Sequence, residues 1–79
     1  MNAMNRTIKI AERNFVGPQH MTAVLVCRKK PHGGYGVWRQ LPAGIEEGQH
    51  ECDCGTVEMA RERWAEFQAY IEAQGFKRA

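Results

Sequence analysis

Apolar and polar residues alternate through the first two thirds of the chain and then switch to a helical spacing. Residues 7–11 set Ile8 and Ile10 against Thr7 and Lys9, the two-residue period of a half-buried strand. Asn14 and the Gly17-Pro18 pair then punctuate the chain. Over residues 21–28, Met21, Ala23, Leu25 and Cys27 fall on one side of an extended chain and Thr22, Val24, Val26 and Arg28 on the other. The density of β-branched residues favours a strand, and two fairly apolar sides place it centrally in a sheet. Lys29-Lys30-Pro31-His32-Gly33-Gly34 reads as a hairpin connection. Residues 35–41 form the returning strand, ended by Pro42 and Gly44 because proline has no N–H for the ladder. Residues 49–54 alternate again, with His50, Cys52 and Cys54 opposite Gln49, Glu51 and Asp53, and predict a short last strand.

From residue 57 the period changes. Val57, Ala60, Trp64, Phe67 and Ile71 recur at spacings of three and four, one apolar stripe on a helix over residues 57–74. Thr56 suits the N-cap, and Glu58 sits where the helix dipole favours an acid. Gly75 suits a left-handed C-terminal cap, with Phe76 folding back on Ile71. These elements predict an α+β fold: a three- to four-stranded antiparallel sheet with one C-terminal helix packed on one face. All of residues 1–79 belong to a single domain, with residues 1–5 expected as a tail. A single helix leaves part of such a sheet uncovered, to be solvated, to meet a partner or to form a homodimer.

Charge alters this picture because it is uneven. Residues 1–40 carry seven Lys and Arg against Glu12, a balance of +6, and residues 41–79 carry four against eight acids, a balance of −4. Two outcomes are open. Either the surface is polarised and steers a charged partner, or the halves fold together and their charges interleave. Three cysteines cannot pair completely, and free thiols fit a reducing cytoplasm. The longest apolar run, residues 23–27, is far short of the ~20 residues that span a bilayer, so no membrane is expected as a partner.

Candidate chemistry is sparse. The chain has no serine, which excludes a serine nucleophile. Cys27 falls on the apolar side of a strand and reads as a small core residue rather than a nucleophile. Glu46 and Glu47 are neighbouring acids in a loop. Gly33-Gly34-Tyr35-Gly36 lacks the following helix that a phosphate loop requires. His50-x-Cys52-x-Cys54 gathers three zinc-type ligands on one strand face, with Cys27 or His32 as a fourth, yet its one-residue gaps are shorter than usual zinc spacings. No catalytic residue, metal or cofactor is therefore assigned.

Binding is better supplied. Arg28, Lys29, Lys30, His32, Tyr35, Trp38 and Arg39 place cations and aromatics around one hairpin, a composition suited to nucleic acid and equally to protein anchors. Glu46, Glu47, Glu51 and Asp53 form an acidic counterpart. A sheet followed by a helix opening Thr56-x-Glu58-x-Ala60-x-x-x-Trp64 resembles the AP2-type and integrase arm-binding DNA modules over roughly the last 55 residues. That resemblance implies a nucleic-acid partner read by the outer sheet face, where Glu51 and Asp53 would repel phosphate. In length, compactness and lack of chemistry the chain is similar to small phage and mobile-element inhibitors, anti-CRISPR proteins among them. This likeness implies a stoichiometric blocker whose partner is a host protein or nucleoprotein complex.

Overall fold

The computed structural model describes residues 7–79, the Glu46 side chain excepted. The expected tail, residues 1–5, and Arg6 lie outside the described residues. Strands β1 (Ile8–Val16), β2 (Thr22–Lys29), β3 (Tyr35–Gln40) and β4 (Gln49–Cys54) precede the helix α1 (Val57–Ala73), and a two-residue strand β5 (Lys77–Arg78) follows it. The sheet is antiparallel with the order β4-β3-β2-β1-β5. The expected α+β architecture is present, with five strands rather than three or four.

Strand parity decides which residues enter the core. The row Ala11, Cys27, Val37, Cys52 runs across β1 to β4, followed by Arg13, Leu25, Arg39, His50 and, over β1 and β2 alone, Phe15 and Ala23. These rows underlie α1, whose Ala60, Phe67 and Ile71 join Phe15, Leu25, Val37 and Cys54 in the buried cluster. Fully burying a side chain such as Ile71 or Phe67 is worth about 1.5–3 kcal/mol, and these contacts hold the two layers together. Trp64 is half-buried against the cluster. Val57 is 39% exposed, so the stripe anchors the sheet from Ala60 onward rather than from its first residue.

Both helix ends follow local chemistry. The Thr56 Oγ1 accepts a hydrogen bond from the Met59 N–H at 3.2 Å, satisfying one of the unpaired donors of the first turn. Beyond the last turn Gly75 has φ +91°, a left-handed conformation that only glycine adopts without strain. The reversal buries Phe76 beside Ile71 in the core and lays β5 along the end of β1, pairing Lys77 with Val16 and Arg78 with Phe15.

The structure corrects the reading of the first strand. Asn14 does not interrupt it: β1 runs on to Val16. A bulge between Lys9 and Ala11 shifts the register against β2, inserting one unpaired residue and reversing the strand's phase. Downstream of it the odd positions Arg13 and Phe15 turn towards the helix. The apolar alternation of Ile8 and Ile10 is accordingly not a core signal, and these residues are 62% and 53% exposed.

Truncating Ile71 to alanine should lower unfolding stability by roughly 2–5 kcal/mol, the cost of a cavity in a close-packed core. Val57→Ala should cost less than about 1 kcal/mol because that side chain is already part-solvated. Urea titration followed by far-ultraviolet circular dichroism distinguishes the two.

Candidate binding surface

The face of the sheet opposite α1 is built from three cross-strand rows. Lys9, Arg28, Gly36 and Asp53 form the first, Glu12, Val26, Trp38 and Glu51 the second, and Asn14, Val24, Gln40 and Gln49 the third. Trp38 stands in the middle row between Val26 and Glu51. The Arg28 guanidinium lies 5.5 Å from the centre of its ring, within range of cation–π attraction. Val26 is only 2% exposed although it faces away from the helix, so its flanking side chains already shelter it. Gly36 leaves room beside this stack, since a Cβ there would stand 2.9 Å from Glu51 Oε2 and 3.5 Å from Lys30 Cε.

Charges on this face interleave rather than separate. Lys30 reaches from the hairpin connection to the Asp53 carboxylate, and this hydrogen bond holds its amine above the ordinary 10.5. Lys9 Nζ donates to Glu12 Oε1 at 2.8 Å. That bond and one from Asn14 Nδ2 hold the Glu12 carboxyl below the ordinary 4.5. The basic first half and acidic second half of the chain are thus laid against each other by the β3–β4 pairing, and no uniformly basic field forms here.

The other candidate residues are divided by strand parity. Tyr35 and Arg39 belong to β3 but face α1, away from Trp38. Tyr35 packs half-buried against the core. The Arg39 guanidinium lies 4.1 Å from the Tyr70 ring centre and 5.2 Å from that of Phe67. Its buried Nε has no hydrogen-bond partner, leaving aromatic stacking as the interaction that holds this arginine. Lys29 ends β2, and His32 is exposed in the connection after it. Glu46 and Glu47 belong to the 3₁₀ turn Glu46–Gly48, at the end of the sheet opposite Lys29 and Lys30. The seven hairpin residues therefore do not form one patch: Arg28, Lys30 and Trp38 meet Glu51 and Asp53 on the outer face, and Arg39 closes the helix side.

The thiols and histidine of β4 also face inward. Cys54 is buried with Cys27, Cys52 is half-buried, and the ring of His50 meets Phe67 edge-on at 5.5 Å between centres. Among the described residues no three His, Cys, Asp or Glu side chains converge in a metal-binding group. Among the same residues, no helix is long and apolar enough to cross a membrane.

No family model, curated protein or solved structure matches this chain.

Sequence reasoning missed Val24, Val26 and Gln40 as parts of this surface, and Lys9 and Glu12 as its rim. The signal for the first two was the second apolar side of β2, which a central strand needs only if something lies over it. Nothing in the sequence marks the bulge that places Lys9 and Glu12 on one face.

Burial pushes the Cys27 and Cys54 thiols above the 9.0 of an unburied thiol. A raised folded value means that their contribution to stability is complete below pH 9 and is lost as pH rises above it, when the unfolded chain ionises first. The urea midpoint should therefore fall between pH 8 and pH 10. In native protein Cys52 should react with a thiol reagent first, with Cys27 and Cys54 following only on unfolding; absorbance of the released chromophore reports the order.

Proposed function

We propose that this chain is a stoichiometric binding protein that docks another protein on the outer sheet face, in the manner of phage or mobile-element inhibitors that occupy a host defence complex such as a CRISPR effector. One observation carries the reading. A tryptophan with an arginine stacked on it stands mid-sheet on a face that no element among the described residues covers, within a rim of mixed charge. Aromatic and arginine anchors inside a polar rim are the usual anatomy of a protein interface. The interleaved acids weigh against nucleic acid, because Glu12, Glu51 and Asp53 would oppose the phosphate charge that Lys9, Arg28 and Lys30 attract. A homodimer through the same face is the alternative use of this anatomy.

Immobilised protein exposed to lysate of cells carrying defence complexes should retain one protein assembly at fixed stoichiometry. Trp38→Ala and Arg28→Ala should each weaken retention about ten-fold or more, the loss expected at an interface anchor. Retention unchanged in both variants would refute the assignment of this face. Capture of bare DNA, with affinity falling steeply with salt, would replace it by the nucleic-acid reading. A dimer in light scattering that Trp38→Ala dissociates would assign the face to a second copy.

A further inference from the structure

The sheet has a second exposed feature on its helix side, away from Trp38. β5 covers only the far end of β1: it pairs with Phe15 and Val16, and the Ala79 N–H donates to the Asn14 carbonyl at 3.0 Å. Among the described residues the outer edge of residues 8–13 has no neighbouring strand. An unpaired edge offers a row of N–H and C=O groups to any extended chain.

Beside this edge lies a groove of about 320 Å³ between β1 and the start of α1. The bulge supplies Ile10 and Ala11 for one wall, α1 supplies Val57 and Trp64 for the other, and Cys27 lies among the residues between them. The volume lies at the lower end of that found for ligand pockets, ~300–1,000 Å³, and is enough for one large side chain. Ile10 and Val57 remain 53% and 39% exposed, an apolar mouth that nothing in the described fold closes. At the opposite edge the ring of His50 meets Phe67 and fills the corresponding position between β4 and α1.

Charge selects the occupant. Arg61 lines the groove. Arg13 lies 5.6 Å over the Trp64 ring, its Nη1 donating to Gln68 Oε1 at 2.5 Å. Arg78, paired with Phe15, adds a cation on the same side further along the edge, and Glu58 in the first turn of α1 is the acid nearest the groove in sequence. We propose that the free edge of β1 and this groove together bind an extended acidic segment of a partner protein, which adds as a further strand and seats one bulky apolar side chain between β1 and α1. Main-chain pairing supplies affinity, the groove selects the apolar residue, and the flanking cations select acids around it. This surface is separate from the Trp38 face and stands whether or not that face docks a protein.

Panning a display library of short random peptides against the full chain tests the proposal. Selection should enrich sequences in which a large apolar residue is flanked by Asp or Glu. A resynthesised winner should bind about ten-fold or more weakly to Ala11→Trp, which fills the groove from an exposed position, and to Arg61→Glu, which reverses charge on the helix surface. Circular dichroism checks that both variants fold; if Ala11→Trp does not, Arg61→Glu decides. Peptides N-methylated at alternate residues should lose binding in one of the two phases, as strand pairing requires. Failure to enrich any peptide, winners indifferent to the variants, or tolerance of N-methylation in both phases would each overturn the proposal.

Discussion

A single helix must hold a sheet wider than itself. Four strands at about 4.8 Å spacing present a layer roughly 19 Å across, whereas a helix with its side chains covers about 10–12 Å. α1 spends its apolar stripe on the centre, where Ala60, Phe67 and Ile71 meet Leu25, Val37 and Cys54. Each flank is then finished differently. On the β4 side Arg39 and His50 lean on Phe67 and Tyr70. They close the gap with polar side chains that have apolar or aromatic bodies. On the β1 side the bulge turns Ile10 and Ala11 towards the helix, and the space between stays open as the groove. Among the described residues nothing covers the opposite face, which carries the Trp38 rows.

This constraint also explains the charge pattern. Basic residues of the first half are largely engaged by the fold. Arg13 lies over Trp64, Arg39 over Phe67 and Tyr70, Arg28 over Trp38, and Lys30 reaches Asp53. The antiparallel β3–β4 hairpin brings the acidic half beside the basic one, so a balance of +6 against −4 along the chain becomes an interleaved surface. Cation–π contacts matter because a thin core in a chain of this size has little apolar volume to spare. Stacked arginines extend it with their side-chain stems while keeping their charge partly hydrated.

Legibility in the sequence followed the strength of the local signal. The limits of β4 and α1, the Thr56 cap and the Gly75 reversal could be read because each depends on residues within one or two turns of chain. The alternation of β2 could be read because its β-branched residues, Thr22, Val24 and Val26, fall on one side and Ala23, Leu25 and Cys27 on the other. The length of β1 could not, because a bulge shifts the phase without a glycine to announce it, and the exposed Ile8 and Ile10 imitate a core face. β5 was illegible because Lys77 and Arg78 have no strand character of their own; they pair with β1 because Gly75 and the burial of Phe76 return the chain there. The candidate surface was half legible for the same reason. Trp38, Glu51 and Asp53 follow from strand alternation, whereas grouping Tyr35 and Arg39 with them overlooked the two-residue period that turns those side chains to the helix.

Strand parity separates the core from the Trp38 face, and β2 contributes to both in one segment. An alanine scan of residues 22, 24, 25, 27 and 28, with stability and partner retention measured on the same folded variants, tests it directly. Two patterns out of phase are expected: Leu25 and Cys27 lose stability while keeping retention of the partner of the Trp38 face, and Thr22, Val24 and Arg28 keep stability while losing it. Retention losses that follow Leu25 and Cys27, or that show no alternation, would contradict this separation.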